Sequence, residues 1–265
     1  MHAAQLQSLG RWNLALARAL AACHGEDFPA RLLDAIDTQV PVEGAQISLE
    51  RRGSAPVLIY ERGTPAGTRD QLTRRYFESG YLLDPFCLAV EQGLAEGFYS
   101  LAEIAPDDFF NSEFYKSYYV AAGIVEDCYY IVDVDEDCKV SISLYNSFSR
   151  TRLRPVQIRH LRTLEPMVLA LAHRHWDATT QPLPDVEVVA RGQGSIRDFG
   201  SELLTEREQA ICQLLLSGHS AKSSARTLGI SPETVRMHRK NLYGKLGVAS
   251  QAELFALFIQ SLGGR

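Results

Sequence analysis

The apolar residues of this chain recur with two periods. Leu6, Leu9, Leu16 and Leu20 stand at helical spacing near the start, and residues 28–40 repeat that period, so two amphipathic helices open the chain. Residues 46–52 and 56–61 then alternate apolar and polar side chains on either side of Gly53, the pattern of a β-hairpin. A helical stretch over 69–79 stops before Gly80. Asp84-Pro85 opens another that ends near Gly93, with Asp as N-cap, Pro at the first helical position and Gly past the end. Residues 127–134 and 139–146 alternate again around the acidic turn Asp135-Glu136-Asp137, and a long helix is expected over 154–176. Helix, hairpin, helices, hairpin, helix predicts an α+β class, with an N-terminal α/β/α sandwich built on an antiparallel sheet.

Residues 177–200 hold three glycines and two prolines and keep no period, which reads as a linker between an N-terminal domain over 1–176 and a C-terminal domain over 201–265. The C-terminal pattern is all-α, with four helices punctuated at their ends. Thr205-Glu206-Arg207-Glu208 is a capping box for a helix that carries Ile211, Leu214 and Leu215 and ends at Gly218. Ser220 caps a short second helix that ends at Gly229. Ser231-Pro232 opens a third that runs to Leu246, and Ser250-Gln251-Ala252-Glu253 is a capping box for a fourth. Two helices joined by Gly229-Ile230-Ser231 make a helix-turn-helix at about 221–240.

The third of these helices separates two faces. Val235, Leu242 and Leu246 point toward a small core, while Arg236, Met237, Lys240, Asn241 and Gly244 point away from it. Arg and Lys on such a face can pair with guanine O6 and N7, and Met can touch a thymine methyl. Charge agrees with a nucleic-acid partner for this half. Residues 201–265 carry eight basic side chains against five acidic ones, a surplus of three, so residues 1–200 hold a deficit of eight within the net −5.

At Thr205-Glu-Arg207-Glu208, Gly218-His-Ser220, Leu228-Gly-Ile230-Ser231, Thr234-Val235-Arg236-Met237-His238 and Lys245-Leu246 the segment resembles the LuxR/FixJ-type helix-turn-helix. The likeness covers about Leu203 to Leu262. It implies double-stranded DNA as partner, with Arg236, Met237 and Lys240 as base readers and Ser231 and Thr234 near phosphates. Asn241 shares the outward face, and Arg239 and Lys245 flank it nearer the phosphates. The segment departs from the family at Ser223-Ser224, where an acidic–apolar pair is usual, and at Ala249-Ser-Gln, where a polar–Arg stretch is usual. RNA polymerase is a further partner expected of such a regulator. The fourth helix carries Leu254, Phe255, Leu257, Phe258 and Leu262 around more than one face. That predicts a homodimer, and two-fold symmetry then requires an inverted-repeat operator.

A second resemblance spans about Leu72 to Asn146. Leu72-Thr-Arg-Arg-Tyr76, Gly80-Tyr81, Asp84-Pro85, Phe98-Tyr99 and Gly123 are similar to the pattern of the autoinducer-binding domains of LuxR-type quorum-sensing regulators. It implies a small-molecule effector contacted by Tyr76, Asp84, Tyr99, Leu72 and Tyr81. Leu72 and Tyr99 stand where that family has Trp, so a lactone and a different small molecule both stay open. So does a protein-docking or dimerisation module without a ligand, because Asp84 is already explained as a helix cap. The aromatic run Phe109-Phe110, Phe114-Tyr115 and Tyr118-Tyr119 could wall a cavity or a dimer surface. A receiver domain would begin with a strand leading into paired aspartates, whereas this chain begins with two helices, so phosphorylation control of that kind is not expected.

Other chemistry fails on spacing. The five cysteines are scattered with no C-x-x-C pair, which predicts buried thiols in a reducing compartment, neither disulfides nor zinc. Residues 14–23 are interrupted by Arg18 and read as an amphipathic helix, neither signal peptide nor membrane span, so a soluble cytoplasmic protein is expected. Asp133-Val-Asp135-Glu-Asp137 lacks the Gly and Glu of a calcium loop, and His173 and His175 cannot converge on a metal from one helix. No nucleotide-binding glycine loop or Ser/His/Asp elbow stands in the chain, so neither a cofactor nor an enzyme is expected.

Overall fold

The amphipathic periods fold as two helices, α1 (Ala3–Ala21) and α2 (Phe28–Gln39), laid against a five-stranded sheet. The computed structural model describes residues 3–63, 74–147, 152–177, 196 and 198–263. The strands are β1 (Gly44–Arg51), β2 (Val57–Arg62), β3 (Gly97–Ser100), β4 (Ile124–Asp133) and β5 (Cys138–Ser147). They pair antiparallel in the order β2-β1-β5-β4-β3. Both expected hairpins form. The edge strand β3 was not expected, because Gly97-Phe98-Tyr99-Ser100 is too short to display an alternation.

Register sorts the sheet into two faces. Ala45, Ile47, Leu49, Phe98, Cys128, Tyr130, Val132, Val140, Ile142 and Leu144 share one side and pack under α1, α2 and the long helix α6 (Pro155–His175). That side is an ordinary apolar core, and Tyr130 satisfies its hydroxyl by donating to the Leu161 carbonyl at 2.7 Å. The other side carries Glu50, Asp127, Tyr129, Ser141 and Ser143, which are equally buried. It is roofed by α3 (Arg74–Glu78), the 3-10 turn Gly80–Leu83, α4 (Pro85–Glu91), α5 (Leu101–Ile104), the 3-10 turn Phe109–Asn111 and a π-helical turn, Tyr115–Val120. The architecture is therefore the α/β/α sandwich, with one dry layer and one polar layer.

The helix expected over 69–79 is described only as α3, and residues 69–73 lie outside the described residues, as does Leu72. Most of 177–200 does too, so the linker boundaries stay an expectation. In the aromatic run, Phe109, Phe114, Tyr118 and Tyr119 are buried and only Phe110 is markedly exposed. It walls an interior.

The four C-terminal helices are α7 (Glu206–Leu216), α8 (Ala221–Leu228), α9 (Pro232–Leu246) and α10 (Gln251–Gly263). Their caps are those the sequence wrote. Glu208 Oε2 accepts from the Thr205 amide at 2.9 Å, Ser220 Oγ accepts from the amides of Lys222 and Ser223 at 3.2 and 3.1 Å, and Ser231 Oγ accepts from the Thr234 amide at 3.1 Å. Gly229 takes φ +64° to turn α8 into α9. Ile211, Cys212, Leu215, Ala225, Val235, Leu242, Leu254 and Phe258 form the buried centre. The expectation for α10 needs correction. Leu254 and Phe258 are fully buried in their own unit, with Phe258 edge-on to Phe199 at 5.3 Å, and Phe255, Leu257 and Leu262 are half-buried. This small unit buries more of α10 than its composition suggested.

Candidate nucleic-acid interface and buried acid cluster

α9 holds its two faces as expected. Val235 and Leu242 are fully buried, whereas Arg236, Met237, Arg239, Lys240, Asn241 and Gly244 are exposed. Arg236 is steadied along its helix by Glu233, Nη1 to Oε1 at 2.9 Å. Ser231 and Thr234 stand at the helix start, exposed and half-buried, with hydroxyls 3.0 Å apart. Met237 is 51% exposed, a large apolar side chain left in water. An exposed row of Arg, Met, Lys and Asn beside a bare glycine has the chemistry to enter a major groove, and the α9 N-terminus adds backbone donors.

Lys245 lies differently from its neighbours. Its Nζ sits 2.6 Å from Oε2 of Glu208, whose side chain is only 5% exposed. The Lys245 hydrogen bond, together with the Thr205 amide, brings the Glu208 carboxyl down to about 2. This pair ties the end of α9 to the start of α7, so a phosphate would have to compete with an internal partner.

In the N-terminal unit the ligand candidates gather around Asp84. Its side chain caps α4, with Oδ1 accepting from the amides of Phe86 at 2.8 Å and Cys87 at 3.4 Å. The other oxygen takes the Tyr76 hydroxyl at 3.1 Å, and that hydroxyl lies 3.4 Å from Cys87 Sγ. Asp84 is 1% exposed. Burial pushes its carboxyl up to about 6, against the opposing pull of the Phe86 amide and Tyr76. Tyr81 is buried close by. Tyr99 stands apart on β3, half-buried, with its hydroxyl donating to the Ala95 carbonyl at 3.1 Å on the outside.

The sequence reading missed a second buried acid. Asp127, on the polar face of β4, accepts from Ser143 Oγ at 2.8 Å and from the Tyr119 hydroxyl at 3.5 Å. Burial raises its carboxyl well above the ordinary range, and Asp84 adds to that rise through its charge. Burial likewise holds the phenols of Tyr76, Tyr119 and Tyr129 well above their ordinary value. Phe86 stacks on Tyr129 at 3.6 Å between ring centroids, which seats α4 over this layer. The alternation of β4 and β5 was visible, but period two cannot tell a solvated polar face from a roofed one. Tyr118 Oη is buried without a hydrogen-bond partner among the described residues.

Elsewhere the described residues offer little chemistry. His173 pairs with Glu96 at 2.8 Å, while His175 stacks on Phe28 at 4.1 Å and accepts from the His24 amide. None of the five cysteines forms a disulfide among the described residues; four are buried and Cys23 is half-buried. Among the described residues no group of three His, Cys, Asp or Glu side chains could hold a metal ion. No described helix is long and apolar enough to cross a membrane.

Comparison with known proteins adds four findings. Residues 202–258 match the profile described as bacterial regulatory proteins, luxR family. A protein of Aeromonas salmonicida described as an HTH-type transcriptional regulator in the exeN 3′ region is 33% identical over 187 residues, covering 68% of this chain and 94% of that protein. UhpA, a transcriptional regulatory protein of Escherichia coli, is 47% identical over 51 residues, 19% of this chain and 26% of UhpA. Among solved structures, the VqsR LBD domain from Pseudomonas aeruginosa superposes with a TM-score of 0.55 at 25% identity, covering 63% of this chain and 96% of that domain.

Proposed function

The chain belongs to the LuxR family of bacterial regulatory proteins, and from that premise we propose that it is a sequence-specific transcription regulator whose DNA binding is controlled by a small molecule held in the N-terminal unit. Arg236, Met237 and Lys240 read base edges, with Asn241 beside them. Ser231, Thr234 and Arg239 lie toward the phosphates. Tyr76, Asp84 and Tyr81, joined by Asp127 and Tyr119, face the effector.

One observation carries the ligand half of this reading. A sheet built only for stability buries apolar side chains, yet the layer between the second face of this sheet and its roof buries three acids, Glu50, Asp84 and Asp127, with a set of phenols and hydroxyls. Burying a carboxyl is costly unless it is neutralised or fully hydrogen-bonded, and carboxyls raised by burial cluster at functional sites. Such a layer suits a small molecule with hydrogen-bonding groups.

A homodimer fits the same reading through α1. Leu6, Leu9, Leu14 and Leu20 are 47–54% exposed along that helix, a stripe that a second copy would cover. An inverted-repeat operator follows from that symmetry. Native mass spectrometry of freshly purified protein tests the ligand half. A small adduct retained by the wild type and lost in Tyr76→Phe is the expected result. An adduct-free protein that responds normally in cells favours the docking module.

A further inference from the structure

Among the described residues the two units meet at a seam around Asp107. A cleft of roughly 810 Å³ separates them, lined by Leu82, Pro85 and Leu88 of the N-terminal unit and by Ala210, Gln213 and Leu214 of α7. At its edge the loop between α5 and the turn Phe109–Asn111 closes onto the start of α8. Asp107 Oδ1 accepts from the Ser220 amide at 2.9 Å and from Ser223 Oγ at 2.6 Å, and its Oδ2 accepts from Ser220 Oγ at 2.6 Å. The next amide, Asp108 N–H, donates to the Gly218 carbonyl at 3.1 Å. Gly218 sits at φ +90°, and a Cβ there would come within 2.9 Å of Phe109 Cα, so both its conformation and the close approach require glycine.

Three donors on two residues therefore hold one carboxylate. Burial works against that charge, but the hydroxyls of Ser220 and Ser223 and the Ser220 amide bring the Asp107 carboxyl down to about 2, so it is ionised at neutral pH. Its donors are a backbone N–H and hydroxyls at a helix start, the same groups that take a phosphate oxygen. In a helix-turn-helix the first helix crosses the DNA backbone while the second lies in the groove, and here the first helix is α8. Sequence makes the contact possible. Ser223 stands where the family pattern has an acid, and an acid there would repel Asp107. The outward face of α9 is exposed meanwhile, so the seam covers the backbone-facing end of the motif and leaves the base-reading helix open.

We propose that Asp107 is an interlock between the two units: its carboxylate occupies the donors at the start of α8 that a DNA phosphate needs, so docking of the N-terminal unit and binding of DNA compete. The proposal rests on α8 and α9 being the DNA-contacting pair. A shift of the N-terminal unit that withdraws the 105–109 loop frees α8, which gives the effector a route to the DNA without touching α9.

The test is the affinity of the full chain for a short random-sequence duplex, read by fluorescence anisotropy at two salt concentrations. Random sequence is chosen because phosphate contacts dominate it. Asp107→Ala removes the interlock, and Asp107→Asn removes its charge while keeping one acceptor oxygen. Asp108→Asn removes the same charge one residue away, where the carboxylate accepts only from Asn111 Nδ2 at 2.8 Å. If the docked arrangement holds roughly nine molecules in ten, Asp107→Ala binds about tenfold more tightly than wild type, Asp107→Asn gains less because its carbonyl still accepts, and Asp108→Asn binds within about twofold of wild type. Equal gains for Asp107 and Asp108 variants reduce the effect to bulk charge and overturn the interlock, as does no gain at all. Arg236→Ala/Lys240→Ala in the Asp107→Ala background separates the two layers of inference. If the pair of substitutions leaves the affinity for an operator selected from a random library untouched, or if no form binds duplex, the DNA reading fails and the interlock falls with it.

Discussion

The two units treat a buried acid in opposite ways. In the C-terminal unit Glu208 is almost fully covered, but Lys245 and the Thr205 amide are in place and hold its carboxyl down to about 2. In the N-terminal unit Asp84 and Asp127 are covered just as fully, and burial drives both upward, Asp84 to about 6. The first arrangement strengthens the fold at neutral pH and the second weakens it. Near-complete burial thus accompanies a depressed carboxyl in one unit and raised carboxyls in the other.

The largest expected effect is at Asp84. Its folded value lies above the ordinary 3.8, so the native state holds the proton more tightly than the unfolded chain. That contribution to stability is fully present below about pH 4 and is lost as pH rises through about 6. A gap of that size corresponds to about 3 kcal/mol. Asn keeps the cap and carries no charge. Asp84→Asn should therefore be more stable than wild type at pH 7 by up to about 3 kcal/mol, with a flatter profile between pH 4 and 6 in urea unfolding, and should respond less to the effector in a reporter assay. A variant with unchanged stability and unchanged response would make Asp84 a cap and nothing more.

Next comes the paired acid. Lys245→Ala should cost the C-terminal unit about 1–2 kcal/mol, since a hydrogen bond between charged partners is lost and solvent reaches Lys245. Because the Glu208 value is depressed, the pair contributes above about pH 4.5 and its contribution disappears as pH falls through about 2. The difference between variant and wild type should close over that range in thermal melts. The sequence alone made Lys245 a phosphate contact. A variant that lowers the salt slope of DNA binding by about one unit without losing stability would restore that role.

The smallest effect is at Ser224, fully buried in α8 with no hydrogen-bond partner for its hydroxyl among the described residues. Ser224→Ala removes an unsatisfied group and places a better helix former, for a gain of about 1 kcal/mol. A loss of stability would mean that the hydroxyl has found a partner in solution.

How much of this was legible follows from where the information sits. The ends of α7, α8 and α9 were readable because Thr205, Ser220, Ser231 and the glycines after each helix act within a few residues of themselves. The outward row on α9 followed from helical period. The polar layer was not readable, because Asp127, Ser141 and Ser143 alternate as any solvated face would, and only the roof of α4 and the π-helical turn makes them interior. Asp107 was invisible for a similar reason, since its partners Ser220 and Ser223 are more than a hundred residues away. The apolar excess on α10 misled because Phe199, ahead of the first C-terminal helix, supplies part of its cover.

The account stands or falls on whether the outward face of α9 reads sequence. The direct measurement takes an operator selected from a random duplex library and titrates Arg236→Ala, Lys240→Ala and Arg239→Ala against it, its single-base variants and random duplex, at two salt concentrations. Arg236→Ala and Lys240→Ala should each lose about 1–3 kcal/mol on the operator, less on random DNA, and relax the preference at particular base pairs. Arg239→Ala should weaken operator and random duplex alike and lower the salt slope by about one. Equal losses on operator and random DNA for Arg236→Ala and Lys240→Ala would contradict the assignment of α9 as the reader.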